Sequence, residues 1–191
     1  MDEFTKFYTG KNYNQHMYSG LIGYFMRHCH RSMESDLNKK NKVLEIGPGT
    51  HAHINYLKHE FDEYYILEKI DELKEIYINK KNVKYFKYDG RSLPFENEFF
   101  DRIIISHCLE HILDPEPFII EMFSKLKKGG NLTIGLPTDP GILWRIGKSI
   151  SANFLIRKSY NYSKNDYYYF TAKDHVNSII SLIPIIKKNF K

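Results

Sequence analysis

The segment Glu45-Ile46-Gly47-Pro48-Gly49-Thr50-His51 carries the densest chemical signal in the chain. Two glycines let a backbone turn sharply and let a ligand approach with no Cβ in the way. Glu45, two residues before the first of them, suits a ligand bearing an ammonium group. Gly47, Gly49 and Ala52 also satisfy the dinucleotide fingerprint G-x-G-x-x-G/A. Glu68 follows at about the 20-residue distance at which that fingerprint carries its ribose-binding acid. An NAD-dependent oxidoreductase is therefore a rival reading. Two residues argue against it. Pro48 stiffens the turn and removes an amide that a pyrophosphate would use. Glu45 would set a like charge beside that pyrophosphate.

These residues need a scaffold, and the hydrophobic pattern supplies one. Val43 to Ile46, Tyr64 to Leu67, Val83 to Tyr88, Asp101 to Ser106 and Asn131 to Leu136 read as five strands. The continuous run Ile103-Ile104-Ile105 is what a fully buried parallel strand looks like. Helical patterns fall between them, from about Thr50 to His59, from Ile70 to Ile78, and from Asp114-Pro115 to Lys127-Lys128-Gly129. Asp is a good N-cap, Pro fits the first helical position and Gly a left-handed cap. Strand–helix alternation implies a Rossmann-like, doubly wound, mainly parallel α/β sheet with its ligand crevice at the carboxyl ends of the strands. Three parts are expected: an N-terminal helical extension or lid over 1–40, a cofactor-binding core over 41–137, and a helical, Tyr-rich, substrate-side tail over 138–191. In the extension, Met17 to Leu37 reads as one helix with Leu21, Tyr24, Phe25, His28 and Met33 near one face; Tyr8 to Tyr13 is loop-like.

Composition bounds the function without naming it. The 191 residues carry 28 Lys and Arg against 23 Asp and Glu, a net charge of +5, and 42% are hydrophobic. A chain of this make-up buries a core and is not disordered. No basic stripe or nucleic-acid motif stands out, and no stretch reaches the roughly 18–20 apolar residues of a membrane span. Cys29 and Cys108 form neither a disulfide scaffold nor a four-cysteine zinc site, so a reduced, cytoplasmic protein is expected. His51-x-His53 and Cys29-His30 are too sparse for zinc, and no metal is expected.

Four ordered segments carry a family likeness. Val43-Leu44-Glu45-Ile46-Gly47-Pro48-Gly49 resembles motif I of the class I S-adenosylmethionine-dependent methyltransferases. Tyr88 to Asp101 resembles the stretch around their third and fourth strands. Ser106-His107-Cys108-Leu109-Glu110-His111-Ile112-Leu113-Asp114-Pro115 and Leu126 to Leu132 resemble the later segments of the UbiE-like, small-molecule branch, methyltransferase type 11. The likeness covers about residues 42–137. It implies strand order 3-2-1-4-5, S-adenosyl-L-methionine as cofactor and a small-molecule acceptor. It further implies that Glu45 and the backbone near Gly47 and Gly49 hold the methionine end, that Glu68 accepts both ribose hydroxyls, that Asp89 with the Gly90 amide reads the adenine edge, and that Ser106 faces the methionine moiety. A carboxylate is the two-oxygen acceptor a vicinal diol needs. Residues 136–141, 144–147 and 174–177 resemble a subgroup associated with cell-surface glycan gene clusters, so a glycan or lipid-linked precursor is an expected acceptor.

With a methyl already activated, the enzyme's task is to aim a nucleophile and exclude water. If the acceptor is a hydroxyl, His107 and His111 are candidate general bases, since histidine titrates near neutral pH; His111 orienting the next loop and His107 lining the pocket are the plainer readings. Asp139 is a substrate contact or the N-cap of a helix starting at Pro140. Trp144 and Arg145 would stack on and pair with a sugar phosphate, pack, or touch a membrane surface peripherally. The aromatic run Tyr160 to Phe170 reads as a half-buried loop or short strand. Thr171 to Ile183 reads as a helix capped by Thr171, burying Val176, Ile179, Ile180 and Ile183 and kinked or ended by Pro184. No residues then remain for the usual strands six and seven. A five-stranded sheet leaves strand five at an edge, where it would pair with a second copy or be covered by the tail. A truncated, cofactor-binding but non-catalytic relative or partner subunit is the alternative function.

Overall fold

The computed structural model describes residues 18–35, 37–159 and 163–189, without the side chains of residues 143, 151, 154–159 and 170. Met17 and Asp36 of the expected N-terminal helix, the loop-like stretch 8–13, and Tyr160 and Tyr162 lie outside the described residues. In chain order the elements are α1 (Gly20–Ser32), β1 (Lys40–Ile46), β2 (Phe61–Glu68), α2 (Lys74–Tyr77), β3 (Val83–Lys87), β4 (Phe100–Ser106), α3 (Pro115–Lys125), β5 (Leu126–Gly135), α4 (Ile142–Ser159), α5 (Lys164–Asp174) and α6 (Ile179–Asn189). The five strands form one sheet in the order β3-β2-β1-β4-β5, and every neighbouring pair is parallel. The Rossmann-like order expected from the likeness is the order observed.

The side-chain period of two sorts each strand onto two faces. Leu44 and Ile46 of β1, Tyr65 and Leu67 of β2, and Ile103 and Ile105 of β4 pack with Phe118, Ile119 and Met122 of α3 and Leu182 of α6. Val43, Tyr64, Ile66 and Ile104 point the other way, against Ala52, Leu73 and Tyr77. Glu45, Glu68 and Arg102 share the parity of this second face. Burial on both faces is why β1, β2 and β4 read as apolar runs rather than alternating ones.

Several local expectations are corrected. No α-helix follows the glycine turn; a single 3-10 turn at His53–Tyr56 stands there. Its residues are β-branched, aromatic or Asn, poor helix formers, and the amides of His53 and Ile54 are taken by the Glu45 carboxylate instead of a helical ladder. Helix α3 has Pro115 at its start, but Asp114 makes no side-chain capping bond. It stops at Lys125, because Leu126 is already extended and pairs with Phe100. Lys127-Lys128-Gly129 therefore lies in an irregularity of β5, and Gly129 takes its left-handed φ of 76° there.

The N-terminal helix is shorter than expected, and most of the face expected to be buried is exposed, with Met33 just past its end packing against the second core face. Leu21, Tyr24 and Phe25 are exposed, whereas Gly23, His30 and the following Glu34 are buried. Hydrogen-bonding partners, not apolar area, decide its orientation. The aromatic run after Ser163 is helical: Ser163 and Asp166 form a reciprocal capping box that starts α5. Thr171 lies inside that helix, with its hydroxyl donating to the Tyr167 carbonyl at 2.7 Å. The expected helix over 171–183 is broken at 175–178, where the amides of Val176 and Asn177 donate to the Glu110 carbonyl. Val176, Ile180 and Ile183 are exposed in consequence, and Leu182, Ile185 and Ile186 face the core. Pro184 sits within α6 without ending it. Pro184 is on the exposed side of the helix.

Candidate functional site

Parallel pairing brings the carboxyl ends of all five strands to one rim. The Gly47 amide donates to the Leu67 carbonyl at 2.9 Å, that of Tyr88 to Glu68 at 2.8 Å, and that of His107 to Gly135 at 2.9 Å. The residues after β1, β2, β3 and β4 thus lie side by side. Gly47 has φ 63° and Gly49 φ 59°, the left-handed region that favours glycine. A Cβ on Gly47 would sit 2.6 Å from the Cys108 Sγ, so the loop after β1 packs directly on the loop after β4.

Two buried carboxylates organise this glycine loop. Glu45 Oε1 accepts from the His53 amide at 2.6 Å, and Oε2 accepts from the Tyr64 hydroxyl at 2.6 Å. Burial pushes its carboxyl up to about 7; the Tyr64 hydroxyl and the His53 and Ile54 amides pull the other way, and nearby Glu68 adds to the rise. Glu68 Oε2 accepts from the Gly49 amide at 3.0 Å and Oε1 from the Ile70 amide at 3.1 Å. Its carboxyl is also raised by burial, against the amides of Ile70, Gly49 and Lys69. The Tyr77 hydroxyl donates to the Gly49 carbonyl at 2.5 Å and fixes the far side of the turn. One strand further out, Asp89 is exposed, with Oδ1 accepting from the Arg91 amide at 2.9 Å. Gly90 has φ 82° and open space where a Cβ would stand. Ser106 ends β4 opposite Gly135, whose own Cβ would meet the Ser106 Oγ at 2.9 Å.

Behind the glycine loop runs a buried polar network. Glu34 Oε1 accepts from Arg102 Nη2 at 2.6 Å and lies 2.6 Å from His53 Nε2. His53 Nδ1 and His30 Nδ1 are 2.9 Å apart, and Arg102 Nη1 is 2.8 Å from His59 Nε2. The network ties the end of α1 to β4 and, through His53, to Glu45. The Tyr18 ring stacks on His51 at 3.5 Å.

A second cluster forms beyond β4. His107 has φ 51°, a left-handed position for a side chain other than glycine. Its Nδ1 lies 4.0 Å from Glu110 Oε1. His111 Nε2 lies 3.8 Å from the same oxygen, and His111 Nδ1 is 3.0 Å from Asp174 Oδ2. His175 Nδ1 is 3.3 Å from Asp139 Oδ2, and the His175 and His111 rings meet edge to face at 5.0 Å. Glu110, His111 and His175 each bring one potential ligand atom to within 4.8 Å of the others. Glu110 is 2% exposed, and its Oε2 has no hydrogen-bond partner. Burial raises the Glu110 carboxyl, against the pull of His111. For His111 burial works downward, but Asp174 and Glu110 prevail and the imidazole is raised. Burial, then His111 and His175, push His107 down to about 4.

The site residues read from sequence thus fall into two groups. Glu45, Gly47, Gly49 and Glu68 converge on one turn, with Asp89, Gly90 and Ser106 at neighbouring strand ends. His107, His111 and Asp139 meet in the second cluster, where Asp139 faces His175 and the helix starts later, at Ile142, than the Pro140 start expected. The Trp144 ring centroid is 6.0 Å from that of His175, with Lys148 Nζ 4.4 Å above the indole. Arg145 is exposed on α4. Sequence reasoning missed Glu110 and Asp174 and gave His175 no role. Only the break between α5 and α6, held by the Glu110 carbonyl and by Asn177 Nδ2 on the Ile112 carbonyl, carries His175 across 64 positions to His111. The dinucleotide alternative also loses the helix N-terminus on which its fingerprint depends.

A family described as methyltransferase domain matches residues 13–180. Over 53 residues the chain is 40% identical to the ubiquinone/menaquinone biosynthesis C-methyltransferase UbiE of Vibrio campbellii, covering 28% of this chain and 20% of that protein. The chain's match thus spans one fifth of the length of the first curated relatives. Among solved structures, an S-adenosyl-L-methionine-dependent methyltransferase assignment from Methanococcus maripaludis superposes with a TM-score of 0.64 at 18% identity, covering 98% of this chain and 85% of that one. A Thermotoga maritima S-adenosylmethionine-dependent methyltransferase gives 0.63 at 21%, covering 97% and 80%. With the family matched over most of its length and the fold shared, the chain belongs to the class I S-adenosylmethionine-dependent methyltransferases.

Proposed function

We propose that the chain transfers a methyl group from S-adenosyl-L-methionine to a small-molecule acceptor. One observation carries the reading: two buried carboxylates, Glu45 and Glu68, meet at a left-handed glycine turn on the carboxyl rim. The donor chemistry fits. A carboxylate has about four lone-pair sites, and Glu68 uses three on the Gly49, Ile70 and Lys69 amides, which leaves one open for a ribose hydroxyl. Glu45 keeps room for one further donor beside Tyr64 and the amides of His53 and Ile54. Burial favours the uncharged form of both acids, so a ligand with an ammonium or hydroxyl donor relieves them.

In this reading Glu68 grips the ribose, and Asp89 with the Gly90 amide reads the adenine edge. Glu45, the backbone at Gly47 and Gly49, and Ser106 orient the methionine end. The bound cofactor supplies a methyl group already activated on a sulfonium. The chain's own contribution is alignment and exclusion of water. His107 and His111 act on the acceptor's nucleophile, and Asp139, Trp144 and Arg145 hold the body of the acceptor. A glycan or lipid-linked precursor suits this side, because the segments resembling the glycan-associated subgroup are those carrying Asp139, Trp144 and His175.

Calorimetry with S-adenosylmethionine and S-adenosylhomocysteine tests the cofactor half. Binding of both is expected; binding of NAD with neither of them would reverse the reading. Transfer of label from methyl-labelled cofactor into a small-metabolite extract tests the catalytic half. Cofactor binding without any transfer would identify a non-catalytic relative.

A further inference from the structure

Glu110, His111 and His175 lie on the acceptor side of the rim, and the two imidazoles are held in the same manner. The carboxylate of Asp174 holds Nδ1 of His111 at 3.0 Å, and that of Asp139 holds Nδ1 of His175 at 3.3 Å. A carboxylate on one ring nitrogen orients a histidine and raises the basicity of the other nitrogen, the arrangement found behind metal-ligating histidines. The third group is a carboxylate with an unsatisfied oxygen: Glu110 is 2% exposed, and Oε2 has no partner. A buried carboxylate oxygen without a donor is costly and calls for a cation or a proton.

We propose that Glu110, His111 and His175 bind a divalent first-row transition-metal cation. Two imidazole nitrogens and one carboxylate oxygen select zinc, iron, cobalt or nickel over magnesium or calcium. Ligand atoms around a tetrahedral zinc stand about 3.3 Å apart, given metal–ligand distances near 2.0–2.2 Å. His111 Nε2 and Glu110 Oε1 are already at 3.8 Å, and all three ligand atoms lie within 4.8 Å of one another, so side-chain adjustment closes the set. His107 Nδ1 lies 4.0 Å from the same Glu110 oxygen. Three protein ligands with an open position are the mark of a catalytic rather than a structural site. Binding stands independently of methyl transfer. Its use rests on the methyl-transfer reading: the open position would receive one oxygen of the acceptor, so the acceptor class is a hydroxyl compound.

The test uses the full chain, freed of metal by chelation and dialysis, and Co2+ as the probe without S-adenosylmethionine. One equivalent of Co2+ with visible ligand-field absorption is expected. Glu110→Gln and His175→Ala are each expected to weaken uptake at least tenfold. Asp174→Asn, a positioning change, should weaken it by about 10–100-fold. His51→Ala, on the cofactor side, serves as the control and should bind as the unaltered chain does. Each variant is checked first for an unaltered melting profile; His175 sits between two helices and is partly exposed, so its replacement serves even if Glu110→Gln fails to fold. Absence of uptake by the unaltered chain would overturn the proposal and leave a protonated His111 as the partner of Glu110. Uptake retained by His175→Ala would overturn it as well. Because no cofactor is present, neither result depends on methyltransferase activity.

Discussion

At the scale of single residues, Glu68 and Gly47 shape the glycine turn in different ways. Glu68 acts by charge and hydrogen bonding: its two oxygens already fix the Gly49 and Ile70 amides. Glu68→Ala should weaken S-adenosylmethionine binding by about 1–3 kcal/mol, the scale of lost charge-assisted hydrogen bonds; calorimetry showing unchanged affinity would remove it from the ribose role. Gly47 acts by the absence of atoms. At φ 63°, with Cys108 Sγ 2.6 Å from any Cβ, it is constrained twice. Gly47→Ala should cost about 1–3 kcal/mol of stability from backbone strain and overpacking. Adding Cys108→Ala removes the Sγ contact but keeps a Cβ at 3.2 Å, so it should restore most of the part due to the clash and leave the part due to φ. Denaturant titration of the two single variants and the double variant separates them.

At the scale of elements, α1 is held by charge. Its exposed Leu21, Tyr24 and Phe25 contribute little apolar burial, while Glu34 just beyond its end joins Arg102 and His53 inside. Removing one member of a buried ion pair strands the other. Glu34→Ala should therefore destabilise by about 3–5 kcal/mol, and replacing Glu34 and Arg102 together by apolar residues should cost much less. Urea midpoints would show the difference. If Glu34→Ala melted as the unaltered chain does, α1 would be held by other contacts. The break between α5 and α6 works at the same scale: the Glu110 carbonyl takes two amides there, so one backbone group fixes both His111 and His175.

At the scale of the whole molecule, buried titratable groups tie stability to pH. Burial, with His53 beside it, pushes His30 down to about 3, against an unfolded value near 6.5. The unfolded chain therefore takes up this proton at a pH where the folded chain does not. His30's contribution is complete above about 6.5 and is lost as pH falls toward 3, with a slope up to about 1.4 kcal/mol per pH unit. Glu45, raised to about 7, has the opposite sign: the folded state holds its proton up to that pH, and its contribution is lost as pH rises through it. His30→Phe keeps an aromatic ring stacked on Tyr56 and removes the titration. Stability measured at pH 7 and pH 4 should fall less for this variant, by about 3 kcal/mol at the limiting slope. Equal losses would show that His30 is protonated in the folded state.

The periodicity of single strands determined much of the molecule. Ile103-Ile104-Ile105 declares a doubly buried strand because no position on it meets water, and the strands at 43–46 and 64–67 follow from the same rule, whereas the strand at 83–88 shows itself by alternation, with Lys84 and Lys87 exposed. Once parallel strands are fixed, their carboxyl ends share a rim, so Glu45, Gly47 and Glu68 are brought close by local sequence alone. Helix limits were less legible. The segment after Gly49 and the face of α1 are decided by where amides and charges find partners, and those partners lie on other strands. The assembly of the second cluster was hidden for the same reason: His107, His111 and Asp139 were legible one by one, but Glu110 and His175 are 65 positions apart, and no spacing rule connects them. Only the packed chain, which satisfies the loose amides of 176 and 177 on the Glu110 carbonyl, brings a second histidine and its carboxylate to the first.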